Sequence, residues 1–120
     1  MNYRIVDKGT IKYLYFDSAE TPISTKQHAL DLIVICWEQG LQEILIHADA
    51  LSEEFFLLRT GLAGEILQKF VNYQMRAAVI VPDDQVIKGK SSEMLAELNR
   101  GNIFRAFPSY DEAEQWLVGT

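Results

Sequence analysis

Residues 60–82 read TGLAGEILQKFVNYQMRAAVIVP. Leu62, Ala63, Ile66, Leu67, Phe70 and Val71 recur at three- and four-residue spacing, which gathers them on one face of a helix. Glu65 and Lys69 stand on the other face as an i,i+4 pair in the favourable order. Ala77 to Val81 is then apolar without alternation, the pattern of a strand covered on both faces, and Pro82 ends it. A helix that runs directly into such a strand is one half of a βαβ unit, so the chain predicts a mostly parallel sheet.

The same alternation extends in both directions. Upstream, Tyr3 and Ile5, then Ile11, Tyr13 and Tyr15, alternate with other residues around Asp7-Lys8-Gly9, which predicts an antiparallel hairpin over 2–7 and 11–16. Ser24 is the expected N-cap of a first helix. Ala29, Leu32, Ile33, Cys36 and Trp37 form its apolar spacing, and Gly40 is its stop. Ile44–Ile46 reads as a buried strand, and Ser52 with Glu53 and Glu54 as the start of a single helical turn carrying Phe55 to Leu58. Downstream, Ser91 or Ser92 caps a helix with Met94, Leu95 and Leu98, stopped at Gly101. Ile103–Phe107 is a strand, and the capping box Ser109–Glu112 opens a final helix with Ala113, Trp116 and Leu117. The predicted order is ββαβαβαβα: an α/β fold with a mixed, mostly parallel sheet and an N-terminal antiparallel hairpin.

The chain has 120 residues, the size of a single domain spanning 1–120. Hydrophobic residues make up 48% and charged residues 23%, which excludes a disordered or fibrous chain. Eleven Lys and Arg against 17 Asp and Glu give a net charge of −6, which argues against nucleic acid or an anionic membrane as partner. The single cysteine, Cys36, excludes an internal disulfide framework. The start, MNYRIVDKGT, has no apolar core of a signal peptide, and the run Leu32–Trp37 is too short to span a bilayer. A cytoplasmic protein with no cofactor and no metal site is the expectation.

Few constellations carry chemistry. Gly89-Lys90-Ser91 stands where a phosphate-binding loop would sit, but Asp84 occupies the position of that motif's first glycine, so Lys90 reads as solvated and Ser91 as a cap. Thr60, Gly61 and Gly64 open the central helix. Thr60 is a cap, a phosphoacceptor or an anion contact, and the glycines allow close approach of a strand or of a partner. His47 follows the Ile44–Ile46 strand with Asp49 two residues on. This pair is either a surface feature or part of a ligand site at the strand end, together with Thr60. His28 lies on the first helix without a metal-binding partner at helical spacing, and Cys36 reads as a buried hydrophobe. Glu54-Phe55-Phe56-Leu57-Leu58 is apolar enough to place some side chains in the core and some at a partner surface.

The run EFFLLRTGLAGEILQKFVNY, residues 54–73, followed by RAAVIV, resembles the signature of a bacterial family, domain-of-unknown-function family 4180, and the resemblance extends over nearly the whole chain through the final DEAEQWL. That family tends to carry an acidic residue after the Phe pair, where this chain has Leu57. Its architecture is in turn similar to the STAS domain of anti-sigma-factor antagonists, in which Asp-Ser-Ser-Gly-Leu-Gly opens the second helix and the first Ser is phosphorylated. Aligned on the Gly-Leu pair, Gly61-Leu62-Ala63 match Gly-Leu-Gly and Thr60 matches the second Ser. Arg59 then stands at the acceptor and Leu58 at the Asp, so the acceptor itself is missing. The resemblance implies a STAS-like domain whose second-helix N-terminus is a recognition surface.

The expected function is therefore a non-enzymatic regulatory or adaptor domain that binds a partner protein through Phe55, Phe56, Arg59, Thr60, Gly61 and Gly64. The alternative is a small-molecule or anion binder, or an enzyme, using His47, Asp49 and Thr60. A homodimer is compatible with either, symmetric dimers being the commonest oligomers.

Overall fold

The structure is a computed structural model, and it describes residues 3–17, 20, 22–82 and 92–119. The strands are β1 (Tyr3–Asp7), β2 (Lys12–Phe16), β3 (Glu43–His47), β4 (Arg76–Ile80) and β5 (Phe104–Phe107). The helices are α1 (Lys26–Glu38), α2 (Leu62–Asn72), α3 (Ser92–Leu98) and α4 (Tyr110–Val118). The order is the one the periodicity predicts. Three short 3-10 turns, Ala48–Ala50, Glu53–Phe56 and Leu58–Thr60, join β3 to α2, where the sequence suggests a single helical turn.

One sheet runs β1-β2-β3-β4-β5 in sequence order. β1 and β2 pair antiparallel, from Tyr3 opposite Phe16 to Asp7 opposite Lys12, and all later pairs are parallel. The chain adds each parallel strand on the same side of the last. Right-handed crossovers then place the intervening helices on one face. The core follows that rule. Leu14, Phe16, Ile44, Ile46, Ala77, Val79 and Phe104 pack with the buried residues of α1 and α2 and with Leu98 of α3. Phe104 lies between Phe55 and Phe70, with ring centroids 5.7 and 5.4 Å away. The opposite face presents Tyr13, Tyr15, Leu45, Ala78 and Ile80, covered by Ala113 and Leu117 of α4.

α4 explains a departure in β2. The hairpin reading expects a strand with one polar face, yet Tyr13, Leu14, Tyr15 and Phe16 are all buried, because helices lie on both sides. α1 departs at its start. Its cap is Thr25, one residue after Ser24, and the Thr25 hydroxyl accepts the His28 N–H at 3.1 Å. Ser24 instead donates to His28 Nδ1. At the other end Gly40 adopts φ +70, and Leu41 N–H donates to Cys36 O at 2.8 Å while Gly40 N–H donates to Trp37 O, the Schellman pattern that a left-handed glycine permits. Trp37 is not on the buried face: it is 70% exposed, its ring edge-on to Tyr73. Val71 of α2 is also exposed. Both sit on the shoulder of their helix, where periodicity alone does not separate core from surface.

Candidate functional site

The tip of α2 is built from the two 3-10 turns before it. Phe55 is fully buried against Phe104 and Phe56 packs edge-on to Phe55 at 5.1 Å, partly buried. Phe55 therefore supports this surface from beneath, and Phe56 is the member of the pair that reaches its rim. Thr60 is exposed, but its hydroxyl is occupied. It donates towards the carbonyls of Glu54 and Leu57, at 2.7 and 2.9 Å, and accepts the Leu62 N–H at 3.2 Å. One side chain thus ties both turns to the first turn of the helix. Gly61 follows at φ +72 and is the N-cap itself, one residue after the cap expected from the sequence. Glycine suits this position because a left-handed conformation costs other residues about 1–2 kcal/mol. Arg59, Gly61 and Gly64 are exposed, and a Cβ on Gly64 would meet nothing within 4 Å. Lys26 and Glu65 pair at 3.5 Å, joining the first turn of α1 to that of α2.

His47 ends β3 and is partly buried. Its Nδ1 accepts the Asp49 N–H at 3.1 Å and lies 3.6 Å from the Asp49 carboxylate. With Nδ1 accepting, the neutral ring carries its proton on Nε2. The imidazole therefore presents a donor, and a base role would require the other tautomer. The hydrogen bonds of Thr60 run to Glu54, Leu57 and Leu62, and that of His47 runs to Asp49. Gly89, Lys90 and Ser91 lie outside the described residues. Among the described residues no helix is long and apolar enough to cross a membrane, and no three His, Cys, Asp or Glu side chains come together as a metal site. Cys36 is buried in the larger core, and burial pushes its thiol up to about 12.

Two polar clusters under α4 were not legible in the sequence. In the first, the Tyr13 hydroxyl donates to Glu114 and shares a hydrogen bond with the Tyr110 hydroxyl, while Lys8 pairs with Glu114 at 3.4 Å. Burial, and then the hydrogen bond to Glu114, raise the Tyr13 hydroxyl above the ordinary tyrosine range. In the second, Arg76 lies 4.3 Å over the Trp116 ring, donates to the Trp116 carbonyl at 3.1 Å and pairs with Glu43 at 3.6 Å. Burial raises the Glu43 carboxyl and Arg76 opposes that shift. These groups fasten the two ends of α4 to the sheet. The one local sign was the helical spacing of Tyr110 and Glu114; their partners are about a hundred residues away in the chain.

These features define an α/β domain with helices on both faces of a five-stranded mixed sheet and an exposed, glycine-bearing helix tip. The chain belongs to the family described as a domain of unknown function, DUF4180, whose model matches residues 8–117. No curated protein and no solved structure matches it.

Proposed function

We propose that this chain is a cytoplasmic, non-enzymatic regulatory or adaptor domain of STAS-like architecture, binding a partner protein through the Glu53–Thr60 turns and the N-terminus of α2. The observation that carries this reading is the bonding that holds the tip. Thr60 bonds to three backbone groups between Glu54 and Leu62, Phe55 anchors the turn from the core, and Phe56, Arg59, Gly61 and Gly64 are held on its outer side. A surface ordered before binding spends less free energy on ordering during binding. Arg59 and the positive end of the helix dipole favour an acidic or phosphorylated contact on the partner. The resemblance to STAS domains supports the location. Arg59 at the acceptor position and the engagement of the Thr60 hydroxyl argue against control by phosphorylation at this point.

Arg59→Glu and Gly64→Arg test the reading, because both positions are exposed and a Cβ at Gly64 meets nothing within 4 Å. A stoichiometric partner captured from lysate by the wild-type chain and lost with both variants, at melting temperatures no lower than the wild type's, is the expected result. Equal capture by all three proteins would remove the tip from the interaction.

One observation favours the alternative, a small-molecule or anion binder, or an enzyme: His47 and Asp49 meet at the carboxyl end of a central parallel strand, where α/β ligands commonly sit. It requires a ligand that raises the melting temperature of the wild type and not of His47→Ala.

A further inference from the structure

The two edges of the sheet are unlike. β5 is followed by Pro108, and its Ala106 N–H is already taken by Asn99 Oδ1 at 2.8 Å, so part of that edge is closed to strand addition. β1 carries no proline. Its cations are exposed but engaged with neighbours: Arg4 lies 5.0 Å over the Tyr15 ring, and Lys8, just beyond the strand, pairs with Glu114. Tyr3 and Ile5, 38% and 41% exposed, are left as apolar side chains on the α1 side of this edge. Among the described residues no strand pairs with its outer side.

The hairpin determines which backbone groups that outer side offers. Lys8 N–H donates to Ile11 O at 2.9 Å, so Lys8 and Ile11 form a hydrogen-bonded pair. Such pairs alternate along an antiparallel ladder. Val6 with Tyr13 and Arg4 with Tyr15 are then the inward-bonded pairs, and the N–H and C=O groups of Tyr3, Ile5 and Asp7 point away from β2. These three residues are symmetric about Ile5. A second β1 laid antiparallel across a two-fold axis at Ile5 sets Ile5 opposite Ile5 and each Tyr3 opposite an Asp7. In that register every outward group of both strands gains a partner. The directly opposed side chains are also compatible. Arg4 faces Val6, and the Tyr3 hydroxyl faces the acidic end of the other strand. Shifting the register by two residues either opposes Arg4 to Arg4 or leaves Tyr3 unpaired.

We infer that β1 is a self-association edge, at which two copies of this chain join antiparallel about Ile5 into a continuous ten-stranded sheet. The occupant is a second copy because the register about Ile5 pairs every open group of both strands and opposes no like charges. The interface lies on the hairpin side of the sheet, away from the α2 tip, so a dimer carries two copies of that tip.

The test combines mass with register. Sedimentation of the wild-type chain is expected to give a monomer–dimer equilibrium that shifts toward dimer across a hundredfold rise in concentration. Ile5→Pro removes an outward N–H and leaves every donor and acceptor of the β1–β2 ladder in place. It should sediment as a monomer with an unchanged far-ultraviolet spectrum, and Ile5→Lys should do the same. Hydrogen-bonded antiparallel pairs hold their Cα atoms about 5.5 Å apart, within disulfide range. Mild oxidation of Ile5→Cys should therefore give covalent dimer, whereas Val6→Cys, offset from its own copy, should not. A wild-type chain that stays monomeric throughout, a dimer indifferent to Ile5→Pro and Ile5→Lys, or cross-linking through position 6 and not 5 would each overturn the proposal.

Discussion

At the scale of single residues, Thr60 and Gly61 show how little separates a cap from a recognition element. The hydroxyl that could meet a partner is already bonded to Glu54, Leu57 and Leu62, so its first role is to hold the tip. Thr60→Val keeps the shape and removes those bonds. It should cost about 1–2 kcal/mol, the range for loss of a cap, read as a lower urea midpoint. Gly61→Ala should cost a similar amount, about 1–2 kcal/mol, through its positive φ, whereas Gly64→Ala should stabilise the helix by up to about 1 kcal/mol. If Gly61→Ala proves as benign as Gly64→Ala, the left-handed cap is not what positions the tip. Tyr13 makes a second prediction. Its hydroxyl is raised in the folded chain, first by burial and then by its bond to Glu114. A raised acid contributes stability that is whole below the unfolded value, about 10 for tyrosine, and is lost as pH climbs above it. Denaturant midpoints of the wild type should therefore fall on the alkaline side of pH 10. Tyr13→Phe should start lower at neutral pH and fall less steeply; parallel alkaline limbs would refute this.

At the scale of elements, what could be read in advance was what neighbours in sequence decide. The helix at 62–72 and the strand at 76–80 follow from period and from continuous apolarity, and the αL stop of α1 follows from Gly40. Trp37 shows where periodicity fails. It lies 100° around the helix from Cys36, so the same pattern admits it to the core or leaves it outside, where it meets the exposed Tyr73. The α2 tip was legible as a place, from Thr60 and its glycines, but the split between buried Phe55 and half-buried Phe56 was not, since it depends on Phe104. The clasps of α4 were illegible because each joins residues far apart in the chain. The Glu43 clasp gives a prediction of its own. Burial raises this carboxyl more than Arg76 lowers it. Its ionised form is therefore a net cost, and the stability it contributes is present below the ordinary glutamate value, about 4.3, and lost as pH rises through the higher folded value. Glu43→Gln should gain on the wild type between pH 4.5 and neutral, measured by melting temperature. A variant that instead loses ground as pH rises would show that the attraction of Arg76 outweighs burial.

At the scale of the molecule, the two helical layers share one sheet, and the sharing has a thermodynamic consequence. β2, β3 and β4 bury side chains alternately into the larger core beneath α1 and α2 and the smaller one beneath α4. Loosening α4 uncovers Tyr13, Tyr15, Leu45 and Ala78, whose strand neighbours Leu14, Ile44 and Ala77 carry the other core. The layers are thus expected to unfold together, as small domains commonly do. Cys36 reports on this from the far side of the sheet. It is fully buried in α1 with its thiol pushed up to about 12, so a thiol reagent at mildly alkaline pH reaches it only through opening of the larger core. Leu117→Ala, in the smaller core, should cost about 2–5 kcal/mol, the range for deleting a buried leucine. If the sheet couples the layers, Cys36 labelling in native buffer accelerates by the factor that this loss implies, tenfold for every 1.4 kcal/mol found by urea unfolding. If labelling of Cys36 is unchanged while the Leu117→Ala urea transition broadens or splits, α4 opens on its own. The clasps at Glu114 and Arg76 would then be fastenings of a detachable helix rather than parts of one cooperative core.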